Sequence, residues 1–86
     1  MYIQAQKNEV FLIIDLNTIN EKDRFPISLL ISDLKQVGIY STEYITDCKV
    51  IFAVEKERAE AIHTILTQKK IKSELKTRIK EEKIRR

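Results

Sequence analysis

Glycine, proline, cysteine, methionine and histidine occur once each in this chain of 86 residues, and tryptophan does not occur. With one glycine there is no phosphate-cradling loop, which excludes P-loop and dinucleotide-binding chemistry. One cysteine excludes an internal disulfide. One cysteine with one histidine also excludes a zinc site built from those ligands. The longest pure apolar run, residues 10–14, is far short of the roughly 20 residues that span a bilayer, so no membrane partner is expected. Residues 1–7 show no basic start followed by an apolar core, so no signal peptide is expected and a cytoplasmic location is the default. A Ser-His-Asp or Cys-His arrangement would have to use His63, in the middle of a predicted helix, while Cys48 lies in a distant turn. Both read as structural residues, and no catalytic residue, metal ligand or cofactor is assigned.

What the chain does have is apolar bulk. Ile, Leu, Val and Phe supply 28 of 86 residues, about a third, whereas disordered chains fall below roughly 20%. A chain this short has room for one core only, and folding hides about 60% of its unfolded surface. A partner copy would relieve that shortage. The net charge of +3 is unevenly spread. Residues 1–68 carry seven Lys/Arg against ten Asp/Glu, and residues 69–86 carry nine against three. A basic end on an acidic body is the pattern of a polyanion-binding segment, and equally of a solvated final strand. The expected division is one domain over residues 1–79 and a basic tail over residues 80–86.

Boundaries come from periodicity, because punctuating residues are so scarce. Glu9 opens Val10, Phe11, Leu12, Ile13, Ile14, Asp15 and Leu16, apolar on both faces and rich in strand formers, as in a central strand. Residues 17–23 read as a loop. Pro26 suits a first helical turn, and Ile27, Leu30, Ile31, Leu34 and Val37 then mark one helical face, with Gly38 as the stop. Residues 39–46 alternate like a half-exposed edge strand. A turn at Asp47 and Cys48 leads to a second near-continuous apolar strand over residues 49–54. Residues 55–69 read as a helix with Ala59, Ile62 and Leu66 on one stripe, Glu55 and Glu57 near its start, and Lys69 and Lys70 at its end. Over residues 71–79, Ile71, Ser73, Leu75, Thr77 and Ile79 alternate with charged residues, which favours a strand, although Ile71, Leu75 and Ile79 also share a helical spacing.

The order β-α-β-β-α-β closes most simply as an α+β, ferredoxin-like four-stranded antiparallel sheet with both helices on one face. Right-handed crossovers put the first and third strands in the centre, and those are the two near-continuous apolar ones.

Asp23, Arg24, Phe25, Pro26 and Ile27, then Leu30, Leu34, Gly38, Ile39, Tyr44, Ile45 and residues 50–54 resemble an ACT domain, with Ala59, Ala61, Ile62 and Leu66 fitting that family's second helix. The resemblance implies a small regulatory module that pairs side by side and binds an amino acid between subunits. Asn17, Asp23 and Arg24 would then line the ligand loop, with Ile39 and Tyr40 near the mate and Arg24 gripping a carboxylate. The glycine that usually opens that family's first helix is absent, since Phe25 or Ile27 stands there, so the resemblance supports fold and pairing more than ligand binding. Asp15, at the end of the first strand, resembles the aspartate of small CRISPR-associated endoribonuclease subunits, which implies a metal-dependent nuclease, with Asp23 able to join it. The stacking aromatics of an RNA-recognition motif are missing, since Phe11 and Phe52 sit on central strands and read as core. A strip of Lys69, Lys70, Lys72, Lys76, Arg78, Lys80, Lys83, Arg85 and Arg86 could instead hold phosphates without reading sequence. The leading expectation is a non-enzymatic, ACT-like regulatory or scaffolding module that forms a homodimer and takes a protein partner or small ligand. The alternative is nucleic-acid binding through the basic strip, and a nuclease comes third.

Overall fold

The computed structural model describes residues 2–41, 48–80 and 84–85. They form an α+β fold of two antiparallel sheets and two α-helices. The elements run β1 (Tyr2–Gln4), β2 (Glu9–Asp15), α1 (Arg24–Ile31), β3 (Lys35–Ser41), β4 (Cys48–Glu55), α2 (Lys56–Gln68), β5 (Ser73–Lys76), β6 (Arg78–Lys80) and β7 (Ile84–Arg85). The larger sheet has the order β5-β2-β4-β3-β7, and β1 pairs with β6 in a sheet of their own.

The two apolar strands are neighbours in the middle of the larger sheet. All of β2 pairs with β4, from Glu9 opposite Glu55 to Asp15 opposite Lys49, and β5 pairs along the other side of β2. Alternation along a strand sends successive side chains to opposite faces. Val10, Leu12 and Ile14 of β2 and Val50, Phe52 and Val54 of β4 therefore share one face, where Ile27 of α1 and Ala59, Ile62 and Leu66 of α2 bury them. Phe11, Ile13 and Ile51 point the other way and meet Ile79 of β6, with Ile3 and Ala5 packed alongside. Phe11 and Phe52 are both core, as their positions imply.

Several expectations are corrected. The first helix does not reach Val37. It ends at Ile31, where the Ser32 hydroxyl donates to the Leu29 carbonyl at 2.9 Å and competes with further helical bonding. Lys35 and Gln36 then pair with Ala53 and Phe52, and Val37 is the extra residue of a bulge that packs against the second face. Gly38 is accordingly not a helix stop. It is buried within β3 and its φ is not positive. The second strand thus begins at Lys35 rather than residue 39, and residues 42–46 of that prediction lie outside the described residues, as does Asp47 of the predicted turn.

The last strand is broken. Residues 73–76 pair with β2, a bend falls at Thr77, and residues 78–80 pair with Tyr2, Ile3 and Gln4. An unbroken strand would keep Leu75 and Ile79 on one face. Instead Leu75 packs on the helix side and Ile79 on the other. The sheet, moreover, is not simply four-stranded with one face open. The β1–β6 pair covers part of that face, and β7 pairs with β3 at Ile39 and Tyr40. Residues 80–86, read as a tail, contribute Lys80 to β6 and Ile84–Arg85 to β7. Among the described residues, no helix is long and apolar enough to cross a membrane.

Candidate functional site: a lysine-lined groove on the second sheet face

The chain turns sharply after α2, and this turn builds one wall of the groove. The Lys70 N–H donates to the Thr67 carbonyl and the Ile71 N–H to the Leu66 carbonyl, at 3.0 and 2.9 Å. Ile71 and Leu66 are both buried in the helix-side core. This is a Schellman motif, whose left-handed position is usually glycine. Here it is Lys70, with φ at 61°. Two residues on, Lys72 is fixed at both ends of its peptide unit: its carbonyl accepts from the Asp15 N–H at 2.9 Å, and its N–H donates to the Thr18 hydroxyl at 2.9 Å. Asp15 in turn accepts from the Asn17 N–H at 3.0 Å, which closes the short 3-10 turn after β2.

These anchors open two adjoining cavities of about 430 and 360 Å³ that share Ile13, Lys49 and Glu74. Lys70 and Lys72 line the first with Asp15, and Lys76 and Lys80 line the second with Tyr2. Ile13, Ile51, Ile71 and Ile79 supply its apolar lining. Among the described residues, five lysines therefore line the groove with two carboxylates, Asp15 and Glu74. Glu74 lies 3.8 Å from Lys76, with both side chains half exposed, so the pair is weak and screened. The Arg78 guanidinium lies over the ring of Tyr2, 4.7 Å from its centroid, and Tyr2 lines the cavity with Lys76 and Lys80.

The predicted basic strip is thus divided. Lys70, Lys72, Lys76 and Lys80 line the groove and Arg78 stacks on Tyr2 there. Lys69 turns the other way, its Nζ 3.5 Å from the Asp23 carboxylate. Lys83 and Arg86 lie outside the described residues. Two groove residues carried no signal in the sequence reading. Lys49 opens an apolar run, and only its register opposite Asp15 places it on the second face. Tyr2 belongs to β1, where the sequence reading placed no strand.

The residues assigned to an amino-acid ligand do not gather in the same way. Asp23 is buried and engaged with Lys69, Arg24 is exposed at the start of α1, and Asn17 is exposed in the turn after β2. Ile39 and Tyr40 lie on β3, where β7 occupies the neighbouring position in the sheet. Asp15 and Asp23 are committed to different partners, the Asn17 N–H and Lys69. Among the described residues, no three His, Cys, Asp or Glu side chains gather as metal ligands would. His63 is hydrogen-bonded through Nδ1 to the Ser73 hydroxyl at 2.6 Å, which ties α2 to the start of β5.

No family model, no curated protein and no solved structure matches this chain.

Proposed function

We propose that this protein is a non-enzymatic nucleic-acid-binding module in which a ferredoxin-like unit, β5-β2-β4-β3 with its two helices, presents a groove for the phosphate backbone. One observation carries the reading. Lysines from four separate parts of the chain, Lys49 of β4, Lys70 and Lys72 of the turn after α2, Lys76 of β5 and Lys80 of β6, line adjoining cavities in which, among the described residues, the acids are Asp15 and Glu74. A solvated basic face would scatter such charges, whereas a polyanion site needs them convergent. The groove has no array of side-chain amides suited to reading base edges, so phosphate contacts dominate. The regulatory-module reading implied by the ACT-like resemblance stands second, because Asp23 is already paired with Lys69 and the β3 edge near Ile39 is already paired with β7.

The test is fluorescence anisotropy with labelled oligonucleotides across a salt series. About four phosphate contacts predict a log–log salt slope of about −3 to −4, with micromolar or weaker binding at physiological salt. Reversal of Lys72, Lys76 and Arg78 to Glu abolishes binding, while circular dichroism shows the fold retained. Absence of binding at low salt, or binding that survives the triple reversal, overturns the proposal.

A further inference from the structure

The lysines account for affinity to any phosphate chain, but the aromatic residue among them calls for something more selective. Tyr2 is 54% exposed, the largest exposed aromatic surface in the groove, and its neighbour in the strand, Ile3, is the residue turned toward the core. The backbone of Tyr2 is held opposite Lys80, and the Arg78 guanidinium lies over its ring. Tyr2 and Arg78 thus form a charged aromatic pair at the cavity that Lys76 also lines. The phenol hydroxyl can donate to a phosphate, but the ring itself meets a nucleic acid through the face of a base. In a duplex those faces are covered by neighbouring base pairs, whereas in a single strand they are free to stack.

We infer that the groove takes single-stranded nucleic acid in preference to duplex, with Tyr2 and Arg78 stacking an unpaired base while the adjacent lysines hold its phosphates. The inference rests on the nucleic-acid reading above and adds to it the strandedness of the ligand and the residue that selects it. Stacking of this kind tolerates any base, because every base offers a π-face, so the preference is for strandedness and not for sequence.

The experiment compares a labelled 12-nucleotide single strand with a duplex of the same length, at one low salt concentration, using the full chain. The wild-type protein binds the single strand at least about tenfold more tightly, the effect of one stacked base. Tyr2→Ala and Tyr2→Leu each lose about tenfold on the single strand and leave duplex binding unchanged, and Tyr2→Phe keeps the wild-type preference. Tyr2→Leu retains apolar bulk in the strand, which separates loss of stacking from loss of packing. Equal affinity for the two forms, or a preference that survives both Tyr2→Ala and Tyr2→Leu, overturns the stacking inference and leaves the phosphate groove standing. If neither form binds, the nucleic-acid reading itself falls, and the inference with it. If heparin competes fully and single strands show no advantage over duplex, the groove recognises charge alone and the stacking inference fails while the phosphate groove stands. Reversal of Lys72 and Lys76 alone, which leaves Arg78 on Tyr2, then reports whether the groove is the surface involved.

Discussion

The two faces of the central strands are made from nearly the same residue types, yet they end in different states. On one face Val10, Leu12, Ile14, Val50, Phe52 and Val54 are closed off by α1 and α2. On the other, among the described residues, Phe11, Ile13 and Ile51 are met by the β1–β6 pair and by Val37. The area left open is lined at one end by Lys49, Lys72, Asp15 and Glu74 and at the other by Gln4, Glu9, Lys35 and Gln36. The difference lies in what the connections supply. Each helix offers a whole apolar stripe, whereas β6 offers one inward side chain, Ile79, between two charged ones. A face closed by a three-residue strand has room left over, and at the end near Ile13 and Lys49 that room is basic. The helix side is therefore where stability concentrates, and the second side is where a ligand can be accommodated.

Core truncations test that division most strongly. Leu12 and Leu66 are both fully buried on the helix side. Replacing either by Ala removes their packing and leaves a cavity, with an expected loss of about 3–4 kcal/mol in urea denaturation. Ile79→Ala, on the second side, is expected to cost about 2 kcal/mol, because the adjoining groove lets solvent and side chains relax into the space. Equal losses on the two sides would mean that the β1–β6 pair is as integral to the core as the helices are, and would break the comparison.

Charge pairs give the next smaller contrast. Asp23 is buried where the β2–α1 connection meets the end of α2, with Lys69 3.5 Å away. Asp23→Asn leaves Lys69 without its partner in a partly desolvated place, and a loss of about 1–2 kcal/mol is expected. Glu74 and Lys76 are separated by a similar 3.8 Å, but both are half exposed on the second side. Glu74→Gln should change stability by less than about 0.5 kcal/mol. The same substitution should tighten oligonucleotide binding, because it removes one of the two acids in the groove. A stability loss at Glu74 matching that at Asp23 would show that the second face is not the looser one.

The central architecture was legible because burial on both faces leaves a direct trace in sequence: residues 10–14 and 50–54 are apolar without alternation, and only strands in the middle of a sheet read that way. The stripe of Ala59, Ile62 and Leu66 was equally plain, and the structure places all three in the core. What misled was coincidence of period. Val37 falls ten residues after Ile27, which suits a helix, but the backbone of Lys35 and Gln36 found ladder partners in β4 that no local pattern discloses. Thr77 likewise fits a continuous alternation, while the bend there depends on Tyr2, Ile3 and Gln4 lying ready to pair with residues 78–80. At the site, the lysines after residue 69 were visible as a charge run. Their sorting was not, because Lys69 and Lys70 are adjacent in sequence and a left-handed φ at Lys70 separates their roles. Lys49 and Tyr2 depended wholly on register.

The last contrast falls at that same left-handed residue, where stability and binding should move in opposite directions. A side chain with a Cβ in this conformation costs about 1–2 kcal/mol per residue, and glycine avoids the cost. Glycine also loses more conformational entropy on folding, so the net gain for Lys70→Gly is expected to be about 0.5–1 kcal/mol, read as a higher urea midpoint with unchanged slope. The same change removes one of five groove lysines. Single-strand affinity should fall several-fold at low salt, and the salt slope should become shallower by about 0.7. Lys70→Ala separates the two consequences, since it keeps the Cβ and loses only the charge: affinity should fall as it does for the glycine variant, with no gain in stability. A glycine variant that is both more stable and equally tight would show that Lys70 faces the groove without touching its ligand, and would move the phosphate contacts toward Lys49, Lys76 and Lys80. A variant that is more stable and weaker would mean that a strained backbone is kept at this turn because the charge it carries is used.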